Sequence, residues 1–393
     1  MISNLSSKIT IGIDARIFIT GIGRVVENLL LSIEKEMGDD ISLIVFLRKD
    51  GFRAYQPKSD RITKVLADIA PYSFAEQIKL WWIIKKYKVD LMHFTNFNAP
   101  LLYPGPFVLT IYDLIHLSYS TFGNSTKNYR YYLFKKFVYR IAIWFLAHRA
   151  QKITTISKVS KNEIVKHLKV DPTKIINTSI GFDHVSSTKM DDEIDSNLKG
   201  VLDRYDISMP YILYVATMYP HKNHATLLQA LSELIQSGVK VQLVFVGKVD
   251  ELSKKVRTLV FEMGLSDYVV FPNYYISNGY LPDSELKGLY QNATAVISPS
   301  YIEGFGIPIL EAQWYEKPML ASDIEIFHEV GGQGVIFFDP HNPRDIAQKI
   351  KKVLNHEVDL AEYIRKGREN IKRFLWKDVA KNTISVYRSV LGL

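Results

Sequence analysis

The sequence predicts an α/β protein built from two doubly wound, Rossmann-like domains in tandem. Short runs of β-branched and apolar residues alternate with amphipathic stretches along nearly the whole chain, which is typical of parallel sheets covered by helices on both faces. The 393 residues suffice for two domains of roughly 100 to 200 residues each. A polar, acidic segment, 186–206, interrupts the alternation, so we place the domain boundary near residue 190.

The first domain, 1–190, holds the first series of elements. Apolar and β-branched runs predict strands at 9–14, 42–47, 90–95, 107–113, 152–156 and 174–179. Amphipathic spacing predicts helices between them, notably at 24–36, 74–88 and 126–149. Because helices separate the strands, we expect the sheet to be parallel.

A second series begins in the domain 191–376. Its predicted strands lie at 211–216, 241–247, 269–271, 294–298, 319–321 and 335–338, with helices such as 223–237 between them. The segment 377–393 is predicted to be a further helix. Doubly wound sheets bind ligands beyond the carboxyl ends of their strands, so we expect a ligand cleft where the two domains face each other.

Composition excludes several classes of protein. The chain has no cysteine, which rules out disulfide scaffolds, thiolate metal sites and cysteine nucleophiles. No stretch reaches the roughly 18 apolar residues of a membrane span, and the first residues, MISNLSSK, lack the order of a secretory signal. We therefore expect a cytoplasmic protein. Residues 1–190 carry 27 Lys and Arg against 15 Asp and Glu, so this half has a basic surface or an anionic partner.

The most informative segment is 297–314, ISPSYIEGFGIPILEAQW. An apolar strand ends in a turn with Gly304 and Gly306, and Pro308 follows where a helix can begin. Such a turn lets the backbone approach a ligand, and the first N–H groups of the helix favour negative charge. Glu303 and Glu311 frame the turn, so we expect both carboxylates in one cleft. For Glu311 alone, a stabilising acid near the helix start is an equally good interpretation.

A second constellation follows the first strand of the second domain, in YPHKNHATLL. Lys222 lies just before a helix, and we expect Asn223 to be its N-cap. A lysine beside helical N–H groups can hold a phosphate. Taken alone, however, Lys222 is more simply interpreted as an exposed lysine without a ligand. His221 and His224 have no acid or third histidine near them in sequence, so a structural role is favoured over metal binding.

Three strings together resemble a known family: E-G-F-G-I-P-I-L-E, the P-x-K-N turn, and the glycine turn after the first strand, GIDARIFITGIGR. They resemble family 4 retaining glycosyltransferases of the GT-B fold, and the overall pattern is most similar to bacterial mannosyltransferases. The resemblance implies that Glu311 holds the ribose of a nucleotide-sugar donor. It further implies donor contacts in the turn, by Glu303, Gly304, Phe305, Gly306 and Ile307.

In this family a basic pair before the helix binds the donor diphosphate. Here Lys222 matches the pair fully, whereas His221 stands where the family usually has arginine. A permanent charge is thereby replaced by a side chain that is mostly neutral at pH 7. The resemblance nevertheless implies that both residues lie at the donor.

The first domain carries weaker family signals. Gly21 and Gly23, with Arg24 opening a helix, resemble the family's glycine loop, which reaches the donor phosphates. The run VLTIYDLIHL resembles a segment in which His-Asp follows a strand. Tyr112 replaces that histidine and Asp113 is kept, and a tyrosine is a poor base at neutral pH.

The polar role of the missing histidine then falls to Asp113 or to His116, or no base is needed. The candidate catalytic residues are then Glu303, Lys222, Asp113 and Tyr112, and His116 is a candidate acceptor residue.

On this resemblance, transfer retains the anomeric configuration and the leaving diphosphate takes the acceptor's proton. Lys222, Arg24 and the helix N-termini would stabilise the charge that develops on the diphosphate. No D-x-D motif occurs, so we expect no metal and no cofactor, with the nucleotide-sugar as substrate.

The segment 125–174 holds 12 Lys and Arg against 2 Asp and Glu, and its helix interleaves basic and aromatic residues. Together with 74–88, it indicates contact with an anionic membrane surface, or alternatively a core helix with a charged edge. Nothing resembles a nucleic-acid recognition element, so we expect no nucleic-acid partner.

The sequence therefore predicts a hexosyltransferase, peripheral on the inner face of the plasma membrane. We expect it to move mannose from GDP-mannose onto a polyprenyl-linked or other surface glycan, such as an O-antigen or capsule precursor. The helix 377–393 is expected to cross back to the first domain, as is usual in the GT-B fold. Three alternatives stay open: a UDP-sugar donor, a non-catalytic membrane-associated subunit of glycan biosynthesis, and a nucleotide-sugar epimerase.

Overall fold

The structure is a computed structural model that describes residues 8–18, 22–118, 129–183, 198–208 and 210–393. The chain divides into two compact units. The first unit takes in the described parts of 8–183 together with 374–393, and the second takes in those of 198–373. Each unit has one parallel sheet whose strand order reverses once, which confirms the predicted α/β class with two doubly wound domains.

Seven strands form the sheet of the first unit among the described residues, in the order β3-β2-β1-β4-β5-β6-β7. They are β1 (Ile9–Asp14), β2 (Ile41–Leu47), β3 (Ile62–Leu66), β4 (Leu91–Phe94), β5 (Phe107–Thr110), β6 (Lys152–Thr155) and β7 (Ile175–Asn177). Every pair is parallel. The order reverses between β1 and β4, where a doubly wound sheet binds its ligand.

The sequence prediction missed β3, which is an edge strand. Only Ile62 and Val65 are buried in it, and Lys64 interrupts its apolar pattern. The Lys64 ammonium donates to the carbonyl oxygens of Phe52 and Tyr55, at 3.0 and 2.8 Å. A strand that is buried on one face only, and that carries a lysine in its middle, lacks the continuous apolar run that predicted the other strands.

The helices of the first unit lie between these strands. They are α1 (Gly23–Glu36), α2 (Lys49–Ala54), α3 (Trp81–Lys85, which continues a π-helical turn, Glu76–Leu80), α4 (Ile115–Ser118), α5 (Tyr129–Arg149) and α6 (Lys158–Leu168). The helix predicted at 74–88 is thus shorter. This helical segment and α5 share one apolar core, to which Leu80 and Ile84 of the former and Ile143 and Leu146 of the latter belong.

The second unit has a six-stranded sheet among the described residues, in the order β10-β9-β8-β11-β12-β13. Its strands are β8 (Tyr211–Val215), β9 (Gln242–Val246), β10 (Val269–Val270), β11 (Ala295–Ser298), β12 (Met319–Ser322) and β13 (Ile336–Phe338). Its helices are α7 (Leu198–Arg204), α8 (His224–Gln236), α9 (Glu251–Glu262), α10 (Asp283–Asn292), α11 (Ile307–Trp314), α12 (Glu325–Gly331), α13 (Pro343–Leu354) and α14 (Leu360–Ile371). The central strands are buried along nearly their whole length, as expected for parallel strands covered on both faces.

The helix α15 (Trp376–Leu391) packs against α1 in the first unit. Tyr387 places its hydroxyl 2.6 Å from Nδ1 of the buried His93, whose Nε2 lies 2.7 Å from Thr110 Oγ1. Arg388 pairs with Asp40 at 2.8 Å. Burial lowers the pKa of His93 to about 3, so a neutral imidazole joins α15 to the sheet.

Candidate active site

Two sequence-predicted segments of the second unit lie at the point where its strand order reverses. Lys222 ends the short turn Pro220–Lys222 between β8 and α8, and Glu303 lies in the loop between β11 and α11. β8 and β11 are neighbouring parallel strands, with Ala295 opposite Ile212. Their carboxyl ends are therefore side by side, at the usual ligand position of a doubly wound sheet.

An ion pair joins the two loops. The Lys222 ammonium lies 2.5 Å from Glu303 Oε1, and their side chains are 17% and 12% exposed. The Ser300 hydroxyl donates to the same carboxylate oxygen at 2.9 Å. Sequence reasoning gave these two charges separate roles at the donor and did not predict their contact or the part of Ser300. A pair so little hydrated holds both side chains in place and joins the loop before α8 to the loop before α11.

Backbone and amide hydrogen bonds fix the loop that carries Lys222. The Tyr301 amide donates to the His221 carbonyl at 2.8 Å. The buried Asn223 side chain donates to the carbonyl oxygens of Pro299 and Pro340, at 2.9 and 2.8 Å. Asn223 occupies the N-cap position of α8, but its side chain does not cap the helix and its φ is +60°. The predicted N-cap position is confirmed, but the amide does not cap the helix and instead ties the Lys222 loop to the loops after β11 and β13.

The His221 ring is packed rather than extended toward solvent. It is buried, and it stacks on Tyr219 with the ring centroids 5.7 Å apart and the planes 10° from parallel. His224 is half-buried, and this burial lowers its pKa to about 4. Among the described residues, no group of three or more His, Asp or Glu side chains could hold a metal ion.

The turn before α11 is built on glycine. Gly306 has φ +108°, and a Cβ on it would lie 2.9 Å from the Phe327 ring, so backbone strain and packing both require glycine here. Gly304 and Phe305 are buried, whereas Ile307, the first helical residue, is 38% exposed. The start of α11 follows Glu303 by four residues, and its first N–H groups carry the positive end of the helix dipole.

Glu311 lies farther along α11 and is half-buried. The Tyr290 hydroxyl donates to its Oε2 at 2.5 Å. Tyr290 comes from α10, which precedes β11, and no motif or spacing in the sequence singled it out. The second unit therefore brings Lys222 and Glu303 into contact in the loop before α11, and Glu311 lies about one turn into that helix.

The glycine segment of the first unit is described in part. Gly21 lies outside the described residues. Gly23 is the first residue of α1 and is buried, and a Cβ on it would lie 2.1 Å from the Phe18 carbonyl oxygen. Arg24 follows it on the exposed side of the helix. The close approach explains why glycine opens this helix.

Tyr112 and Asp113 lie just beyond β5, which ends three residues earlier than predicted. Tyr112 is 8% exposed, and burial raises its pKa. Asp113 is half-buried, and its Oδ1 accepts from the Ile115 amide at 3.0 Å. His116 belongs to α4, and its side chain lies outside the described residues. Tyr112 therefore stays protonated, as expected for a residue that cannot act as a base.

A buried ion cluster that sequence reasoning missed lies at the reversal point of the first sheet. Arg16, directly after β1, contacts Asp14 at 2.7 Å and Glu76 at 2.6 Å. Asn98 donates to Glu76 at 3.0 Å. Burial raises the pKa of Glu76 against the opposing effect of Arg16. The cluster connects the segment after β1 to the turn that leads into α3.

Large apolar side chains are exposed on two helical segments of the first unit. Phe74, Ile78 and Trp82 recur every four residues and are 95%, 63% and 53% exposed. On α5 the exposed apolar residues are Leu133, Phe134, Phe137, Val138, Ile141 and Trp144. We call these nine residues the exposed apolar face. Among the described residues, no helix is both long and apolar enough to cross a membrane.

Comparison with family models matches both halves of the chain. Residues 19–183 match the model described as Glycosyltransferase Family 4, and residues 207–370 match glycosyl transferases group 1. Together the two models cover most of the chain.

Curated relatives include two O-antigen enzymes. The O-antigen chain mannosyltransferase B of Escherichia coli is 29% identical over 61% of this chain, and the match spans 61% of that relative, less than two thirds of its length. The O-antigen chain mannosyltransferase RfbU of Salmonella typhimurium is 26% identical over 74% of this chain and 72% of the relative.

Solved structures show the same fold. Anabaena HepE in complex with UDP-glucose superimposes with a TM-score of 0.71 at 16% identity, covering 98% of this chain and 100% of that one. The chain belongs to the family 4 glycosyltransferases of the GT-B fold.

Proposed function

We propose that this glycosyltransferase moves mannose from GDP-mannose onto a lipid-linked surface glycan, such as an O-antigen or capsule precursor, with retention of configuration. The mannosyltransferases among the relatives support this choice of sugar. The observation that carries the proposal is the contact of Lys222 with Glu303, in the loop that leads into α11 at the reversal point of the second sheet.

The second unit is the donor half in this proposal. Lys222 and the N–H groups of α11 face the diphosphate, whose negative charge grows as the bond to the sugar breaks. Glu303 and the backbone of Gly304, Phe305 and Gly306 contact the sugar. Glu311 accepts hydrogen bonds from the ribose, and the packed His221 lines the same loop.

The first unit supplies the acceptor half. Gly21, Gly23 and Arg24 approach the phosphates, and Asp113 is the polar group nearest in sequence to the protonated Tyr112. The departing diphosphate takes the acceptor's proton, so the chemistry requires no side chain with a pKa near 7.

The exposed apolar face suits an acceptor carried on a lipid. Its aromatic and aliphatic side chains alternate with Lys79, Lys85, Lys136 and Arg140. Apolar side chains flanked by cations bind at the headgroup boundary of an anionic membrane. This face supports the proposal of an enzyme that is cytoplasmic, peripheral and bound to the inner face of the plasma membrane.

A donor screen tests the function. GDP-mannose, UDP-glucose, ADP-glucose and dTDP-glucose are added to the folded chain, because a ligand that binds only the folded state raises the unfolding temperature. We expect GDP-mannose to give the largest rise, and transfer to a polyprenyl-linked acceptor to follow. A larger rise in unfolding temperature with UDP-glucose would show that the donor is a UDP-sugar and not GDP-mannose. Binding without transfer to acceptor would favour the non-catalytic subunit, and an epimerised sugar formed without acceptor would favour an epimerase.

We also propose that transfer needs no divalent cation. In this proposal the helix starts and Lys222 stabilise the negative charge on the departing diphosphate, which a bound metal ion stabilises in other enzymes. Full turnover in excess chelator is the expected result, and loss of turnover that added Mg²⁺ or Mn²⁺ restores would contradict it.

A further inference from the structure

A buried tyrosine outside every motif of the sequence contacts Glu311. Tyr290 is 1% exposed, and its hydroxyl lies 2.5 Å from Glu311 Oε2. The two residues come from α10 and α11, the helices that precede and follow β11. The hydrogen bond therefore fixes the carboxylate relative to the central strand of the sheet, and not only to its own helix.

The tyrosine itself is held rigidly. Its ring stacks on Tyr315, with the centroids 5.1 Å apart and the planes 20° from parallel. Burial, and then the charge of Glu311, raise the pKa of Tyr290 well above its usual value of 10. The hydroxyl therefore keeps its proton at every physiological pH and acts as a donor to the carboxylate.

We propose that Tyr290 is a positioning residue for the donor, which holds the Glu311 carboxylate in the orientation that accepts hydrogen bonds from the ribose hydroxyls of the nucleotide. The inference rests on the function proposed above, in which Glu311 binds the ribose. A half-buried carboxylate on a flexible side chain loses rotational freedom when a ligand binds. A hydroxyl that has already fixed it removes that cost from binding.

The test compares nucleotides with and without ribose hydroxyls. GDP and 2′,3′-dideoxy-GDP are the probes, together with UDP and 2′,3′-dideoxy-UDP, and affinity is measured by calorimetry on the full chain. Tyr290→Phe keeps the stacked ring and removes the donor. We expect it to weaken GDP about 10-fold, the effect of one hydrogen bond to a charged group. The dideoxy nucleotide should bind as it does to the wild type, so the ratio of the two affinities falls.

Tyr211 provides a matched control. It is also buried, and its hydroxyl donates to the Leu289 carbonyl of the same helix at 2.5 Å. Tyr211→Phe and Tyr290→Phe therefore each delete one buried hydroxyl that contacts α10 or α11. Both should lower the unfolding temperature, but only Tyr290→Phe should change the ratio of GDP to dideoxy-GDP affinity.

A double-mutant cycle tests whether Tyr290 acts through Glu311. In the Glu311→Ala protein, the further change Tyr290→Phe should leave GDP affinity unaltered. An additional loss there, or a Tyr290→Phe protein with the wild-type affinity ratio, would overturn the inference and leave the proposed function standing. A wild-type chain that binds none of the four nucleotides would instead refute the proposed function.

Discussion

Lys222 and Glu303 are 81 positions apart in the chain, and their charged groups lie 2.5 Å apart in the second unit. Glu303 orients the Lys222 ammonium, and Ser300 in turn donates to the Glu303 carboxylate. In the donor site proposed above, a diphosphate would therefore meet a cation that is already in place, and little reorganisation would be needed as charge develops on the leaving group.

Replacement of Lys222 should impair catalysis more than folding. We expect Lys222→Ala to lower kcat/KM for the nucleotide-sugar by about 100-fold, because a preorganised cation at the leaving group is lost. Steady-state kinetics measure the change. Lys254, exposed and paired with Glu251 in the same unit, is the control, and Lys254→Ala should behave as the wild type. Equal kinetics for the two variants would remove Lys222 from the donor site.

Asn223 should be required for both its amide and its backbone conformation. Asn223→Ala leaves the buried carbonyls of Pro299 and Pro340 without their donor, which should cost about 2 to 4 kcal/mol of unfolding free energy. Asn223→Gly loses the same bonds but tolerates φ +60°, so it should be about 1 kcal/mol more stable than the alanine variant. Urea unfolding compares them. Identical stabilities would mean that the left-handed conformation is not maintained by this residue.

The sequence predicted the strands and loops of the candidate site, but not the side-chain contacts between those loops. Lys222 and Glu303 were found because charge, glycine and proline occur together at strand ends, where local turn chemistry is visible in sequence. Tyr290 lies on an ordinary amphipathic helix, and its partner is fixed only by the packing of α10 beside α11. β3 was missed for a related reason, since an edge strand with a central lysine has no distinctive period.

Arg16 should be essential for the stability of the first unit. Arg16→Met leaves the carboxylates of Asp14 and Glu76 buried without a cation, which should cost about 3 to 5 kcal/mol. Addition of Glu76→Gln to this variant should recover part of the loss, because it removes one of the uncompensated charges. Arg365, exposed and paired with Glu362, is the control. Arg16→Met with the stability of Arg365→Met would show that the cluster is hydrated in solution.

His93 should make the folded state sensitive to acid. Its pKa is about 3 when folded and about 6.5 in an unfolded chain, so between these values the unfolded state binds the extra proton. Stability therefore falls as the pH falls through this window. When the pH is lowered from 7 to 5, the unfolding free energy should fall by about 2 kcal/mol less in His93→Gln than in the wild type. Urea titrations at both pH values measure this difference. An unchanged slope in His93→Gln would contradict the assignment.

The exposed apolar face should bind anionic vesicles. Trp82→Glu combined with Phe137→Glu places charge where side chains would enter the lipid boundary, and should reduce co-sedimentation with phosphatidylglycerol vesicles at least 10-fold. Phe261 in the second unit is 77% exposed and is the control. A wild-type chain that ignores anionic lipid, or a Phe261→Glu variant with the same defect, would remove this face as the membrane contact.

The position of α15 has a consequence for how the polypeptide acquires its structure during synthesis. Domains ordinarily fold from the amino terminus as the ribosome releases them. Here residues 376–391 cover α1 and hydrogen-bond His93 through Tyr387, yet they are translated only after the whole second unit. The side of α1 that packs on α15 therefore stays uncovered while residues 184–375 are synthesised, and transiently exposed apolar surface of this kind is what chaperones protect.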